Sequence, residues 1–149
     1  MIQVRKVIIA SLFTCATAMT GCSSNPMMSN EVAINGKLTA SAETPSNSST
    51  GTGLLAATFN KQTNVLNWTV SYSGLTGPVK AGHFHGPAIA GQNAGVALGF
   101  TGSTDSPIKG SATLTPAQAA DLLAGKWYVN LHTAANPGGE VRAQALIAQ

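Results

Sequence analysis

The feature that most constrains this chain is a period-two alternation of apolar and polar residues, repeated over many short segments. Leu66, Trp68, Val70 and Tyr72 alternate with Asn67, Thr69 and Ser71. Successive side chains of a strand point to opposite faces, so such a run buries one face and wets the other. Val32, Ile34, Leu38 and Ala40 share a parity, with Gly36 expected as a bulge. Leu55, Ala57 and Phe59 make a second run, and Val96, Leu98 and Phe100 another. Shorter strands are predicted over 81–85, ended by Pro87, and over 110–114. Near the C-terminus, Trp127, Val129 and Leu131 lie opposite Tyr128, Asn130 and His132. Val141, Ala143, Ala145 and Ile147 lie opposite Glu140, Arg142 and Gln144.

Between the strands come turn signals. Residues 60–64 and 74–78 break the pattern, and Asn136-Pro137-Gly138-Gly139 is a strong hairpin turn. Residues 41–53 are rich in Ser, Thr, Asn, Gly and Pro, and read as a long exposed loop. One helix is predicted over 117–124. Thr115 caps it, Pro116 fills its first turn, Gln118 completes a capping box, and Gly125 stops it. Many short strands and one helical connector predict an all-β, antiparallel sandwich or barrel. Trp68 and Trp127 fall on apolar parities and are assigned to its core.

The N-terminus reads as a targeting segment. Arg5 and Lys6 precede a mostly apolar stretch, 7–20, too short to span a bilayer, which takes about 20 apolar residues. It ends in Met19-Thr20-Gly21-Cys22, which resembles a bacterial lipoprotein signal with Met19 where Leu is usual. The expected organisation is a signal peptide over 1–21, a lipid-anchored tether over 22–30 and one domain over 31–149. Ordinary cleavage, with Cys22 a bystander, is the alternative. Ser23, where an Asp would favour inner-membrane retention, points to the outer membrane of the cell envelope. Cys15 leaves with the signal and Cys22 is taken by lipid, so the mature domain is expected to lack a disulfide. Removing Arg5 and Lys6 leaves six basic residues against five acidic ones. No basic cluster remains to bind nucleic acid.

The candidate site is the histidine set. His83 and His85 share one strand face with Phe84 opposite, and His132 lies on the face opposite Trp127, Val129 and Leu131. Three imidazoles without a thiolate suit Cu(II). Zinc is the weaker expectation, because a structural zinc takes four protein ligands. If residue 132 pairs with 140, Glu140 lies beside His132, placed to orient its ring or act as a weak ligand. An ion pair with Lys or Arg is the alternative for Glu140. Met27 and Met28 could offer soft ligands to Cu(I), though a tether also uses Met as flexible apolar filler. No Gly-x-Ser-x-Gly elbow, carboxylate pair or phosphate loop stands out, so no catalytic residue is assigned.

The residues 82–88 (Gly-His-Phe-His-Gly-Pro-Ala), the connector ending Leu122-Leu123-Ala124-Gly125, and the long run 127–144 resemble the CHRD domain, named for its repeats in chordin. The resemblance covers roughly 31–148, with Ala143 where Gly is usual. It implies an immunoglobulin-like sandwich, also likened to copper–zinc superoxide dismutase. The dinuclear dismutase centre needs more histidines than the three present, so dismutase activity is not implied. Three functions follow, in order. The first is a non-enzymatic, lipid-anchored copper binder using His83, His85 and His132. The second is a surface interaction module whose histidines only fix loops. The third is a mononuclear copper enzyme acting on a reactive oxygen species.

Overall fold

The computed structural model describes residues 29–149. The predicted signal, Cys22 and all of the tether before residue 29 lie outside the described residues. The strands are β1 (Glu31–Thr39), β2 (Thr52–Asn60), β3 (Val65–Ser73), β4 (Val79–His85), β5 (Val96–Gly99), β6 (Ile108–Thr113), β7 (Tyr128–Thr133), β8 (Val141–Gln144) and β9 (Leu146–Ile147). The helix α1 (Pro116–Leu123) connects β6 to β7. The capping box forms as expected: the Thr115 N–H donates to Gln118 Oε1 at 2.9 Å, and the Gln118 N–H donates to Thr115 Oγ1 at 3.3 Å.

The strands form one antiparallel, curled sheet in the order β5-β4-β7-β8-β1-β2-β3-β6, with β9 on β1. Between β8 and β1 the only ladder pairing is Thr39 with Arg142. At this weak seam the sheet folds over, and its two halves share one core. Trp68 of β3 meets Phe84 of β4 edge to face, with centroids 5.5 Å apart at 87°. Phe100 stacks on Trp68 at 5.4 Å, and Trp127 lies 5.8 Å from Phe84. Trp68 and Trp127 are thus core residues, as their parity predicts.

Two expectations need correction. Gly36 is no bulge: it pairs in regular register with Leu55. It is small because β8 crosses close by, and a Cβ there would fall 2.7 Å from the Gln144 carbonyl oxygen. Residues 41–53 are not simply an exposed loop. They include a short 3₁₀ turn, Ala40–Ala42, and bury Glu43, Gly51 and Gly53. The Asn47 amide donates to the carbonyls of Gly139 and Glu140, at 3.3 and 3.0 Å. This segment packs against the turn end of the β7–β8 hairpin. Its polar composition serves buried hydrogen bonds as well as solvent.

Candidate metal centre

Strand alternation places Phe84 in the core and turns His83 and His85 to the other face of β4. The neighbouring strand β7 pairs Asn130 with His83, Tyr128 with His85 and His132 with Ala81. Its hairpin partner β8 pairs Arg142 with Asn130 and Gln144 with Tyr128, the register expected from the sequence. One face of β4, β7 and β8 therefore carries three histidines, a tyrosine, an asparagine and an arginine. The expected outward face of β7 is largely covered: Tyr128 and Asn130 are buried.

His83, His85 and His132 converge. Each offers a ring nitrogen within 4.8 Å of the other two. The nearest pair is His83 Nδ1 and His132 Nε2, at 3.2 Å. Two nitrogens each about 2.0–2.1 Å from one ion lie roughly 3 Å apart, so this spacing already fits shared coordination. His85 Nδ1–H donates to the Ala94 carbonyl at 3.0 Å, which fixes the tautomer and leaves Nε2 as a lone pair. That Nε2 is buried and has no hydrogen-bond partner. The ring is held flat against Tyr128, with centroids 4.8 Å apart and planes 1° from parallel. Tyr128 is gripped in turn. Its hydroxyl bonds Ala94, and the Arg142 guanidinium lies 3.4 Å over its ring.

His132 is oriented from the hairpin turn. Its Nδ1–H donates to the Pro137 carbonyl at 2.9 Å, leaving Nε2 toward His83 and toward Asn130 Oδ1, 3.0 Å away. Burial lowers the pKa of both His83 and His132. The other histidines' charges lower both further, opposed in His132 by the bond to Pro137. Neutral rings with free lone pairs are what a metal requires.

Glu140 does not take the place expected for it. It is fully buried, and its carboxylate bonds Ser49, Thr76 and Thr133 rather than His132. Ser49 Oγ and the Thr76 N–H donate to one oxygen, at 2.6 and 2.7 Å; the Thr76 and Thr133 hydroxyls donate to the other. Burial pushes its pKa up, but these four bonds outweigh that and hold it at about 2. The physical reason is that β8 starts at Val141, so strand parity does not govern residue 140. Glu140 clips the 41–53 segment, residue 76 and the hairpin together.

The buried carboxylate on the site's side is instead Glu43, which sequence reasoning did not single out. Burial raises its pKa; Arg142, Asn130 and the Thr44 backbone oppose that. Gly139, with φ +129°, lets the Glu43 carboxyl and the Asn130 amide approach; a Cβ there would fall 2.3 Å from Glu43 Oε1 and 3.0 Å from Asn130 Nδ2. The available signal was that Glu43 is the one charged residue between positions 40 and 53.

A family model for the CHRD domain matches residues 34–145. The chain belongs to the CHRD domain family. No curated protein and no solved structure matches it. The histidine pair of β4 and the whole β7–β8 hairpin fall inside the matched span, so the candidate centre belongs to the CHRD domain itself.

Proposed function

We propose that this CHRD protein binds one copper ion through His83, His85 and His132, as a lipid-anchored protein of the bacterial cell envelope. Its role would be copper storage, delivery or protection of the envelope. The observation that carries the metal reading is His85 Nε2. It is a buried lone pair with a fixed tautomer and no partner, on a ring that clusters with two other imidazoles. Leaving a buried polar atom unpaired costs about 1–3 kcal/mol, which a bound cation would recover. Copper is favoured because Cu(II) heads the affinity order of divalent first-row ions for nitrogen and oxygen donors. Zinc comes second. The anchoring rests on the sequence 19–22, and the outer-membrane placement on Ser23.

The test is calorimetric titration of the purified protein, without a polyhistidine tag, with Cu(II) and Zn(II). One equivalent of Cu(II) should bind, and His85→Ala should weaken it at least about 100-fold. Equal binding by His85→Ala would sink the assignment. One observation favours a second reading. At 3.2 Å, His83 Nδ1–H can donate directly to His132 Nε2, so the rings can brace the loops without an ion. That reading predicts no stoichiometric binding and a less stable His83→Ala protein.

A further inference from the structure

Resting on the metal reading above, we propose that Asn130 Oδ1 is the fourth protein donor of the centre, held in place by Glu43. The argument starts from His132. The Pro137 carbonyl can only accept a hydrogen bond, so at 2.9 Å the proton of a neutral His132 ring sits on Nδ1. Nε2 then carries a lone pair. Asn130 Oδ1, also an acceptor, lies 3.0 Å from it. Two acceptors at this distance repel unless something positive lies between or beside them.

His83 Nδ1–H can supply one proton to Nε2, but it does nothing for the amide oxygen. Nor can the amide simply turn over. Its Nδ2 side packs with the Glu43 carboxyl against the Gly139 backbone. A flip would set Oδ1 against a buried carboxyl oxygen that already lacks a partner. The carboxyl therefore keeps the NH₂ on its own side and the oxygen on the histidine side. A cation bound to His132 Nε2 would convert the repulsive contact into a shared ligand edge. The 3.0 and 3.2 Å separations from Nε2 to Asn130 Oδ1 and His83 Nδ1 both suit donors around one ion.

The completed set is three imidazoles and one neutral amide oxygen. A hard oxygen donor favours Cu(II) over Cu(I), which prefers soft ligands. Four donors also close a tetrahedral shell, which makes Zn(II) the proper second probe. Asn130 sits beside the ligands His83 and His132 yet belongs to none of the residue types most often read as metal ligands, and strand parity alone shows it only as a neighbour.

The experiment is competition titration of Cu(II) and Zn(II) into wild type, Asn130→Leu and the double variant Asn130→Asp/Glu43→Gln, with the Cu(II) electron paramagnetic resonance spectrum of each. Near-ultraviolet circular dichroism checks the fold. Asn130→Leu removes the donor and should weaken binding at least about tenfold, with a shifted Cu(II) spectrum. The double variant Asn130→Asp/Glu43→Gln puts a charged oxygen in the same place, gives the other Asp oxygen an amide donor in place of the Glu43 carboxyl, and should bind more tightly than wild type. That variant keeps the question open to a decision if Asn130→Leu does not fold. Wild-type affinity and an unchanged spectrum in Asn130→Leu, or no gain in the double variant, would overturn the fourth ligand while leaving the three-histidine site standing. Failure of wild type to bind either ion would overturn both.

Discussion

At the scale of single residues, the two buried glutamates separate charge for stability from charge for positioning. Glu140 is ionised and saturated with hydrogen bonds; Glu43 is poorly satisfied and borders the histidines. The folded-state pKa of Glu140, about 2, lies below the ordinary carboxylate value of 4.5. Its contribution to stability is therefore fully present above pH 4.5 and is lost as pH falls from there through about 2. Glu140→Gln should lower stability by about 2 kcal/mol at pH 7 and flatten the acid limb of the stability curve. Urea melts between pH 2 and 7 would measure it, and an acid limb that stays as steep as wild type would contradict the assignment. Parity identified the three histidines because each lies within a strand. It failed for Glu140, one residue before β8 begins, where the backbone is no longer held to alternation.

At the scale of elements, the strands were legible because one face of each is core. β3 runs from Val65 to Ser73 over the predicted alternation, and β7 and β8 pair in the predicted register. The segment 41–53 was not legible in the same way. Ser, Thr, Asn and Gly mark loops, and nothing local tells whether their polar groups meet water or a buried carboxylate. Ser49 and Asn47 meet the hairpin, and Glu43 meets Asn130, through contacts about ninety residues apart in the chain. The hairpin turn is where these contacts converge. Gly139→Ala should strain the backbone at φ +129° and push a methyl into the Glu43 carboxyl. A loss of about 1–3 kcal/mol is expected, with weaker metal binding because Pro137 and Asn130 both orient toward His132. Thermal melts and a Cu(II) titration of the variant would check both. A variant as stable as wild type would show that the close approach is not required.

At the scale of the whole molecule, the curled sheet puts its aromatic core on one side of β4 and its histidines on the other. The core was predictable from apolar periodicity. The covered polar face was only half predictable, because its lid comes from distant segments of the chain, including residues 86–95. Among the described residues no helix is long and apolar enough to cross a membrane. The proposed membrane attachment, through lipid on Cys22, comes from the sequence 19–22 alone. Cys22→Ser should move the protein from the membrane to the soluble fraction of a bacterial host, which fractionation and immunoblotting would detect. A variant that stays in the membrane fraction would contradict the anchor without touching the metal site.

The central claim is that the three imidazoles share one ion. The most direct measurement is the electron paramagnetic resonance spectrum of the protein with one equivalent of Cu(II), beside that of His83→Ala. The account predicts a single Cu(II) species with nitrogen hyperfine structure that is lost or simplified in the variant. A spectrum of free or heterogeneous Cu(II), identical in the two proteins, would contradict it and leave the histidines as braces between loops.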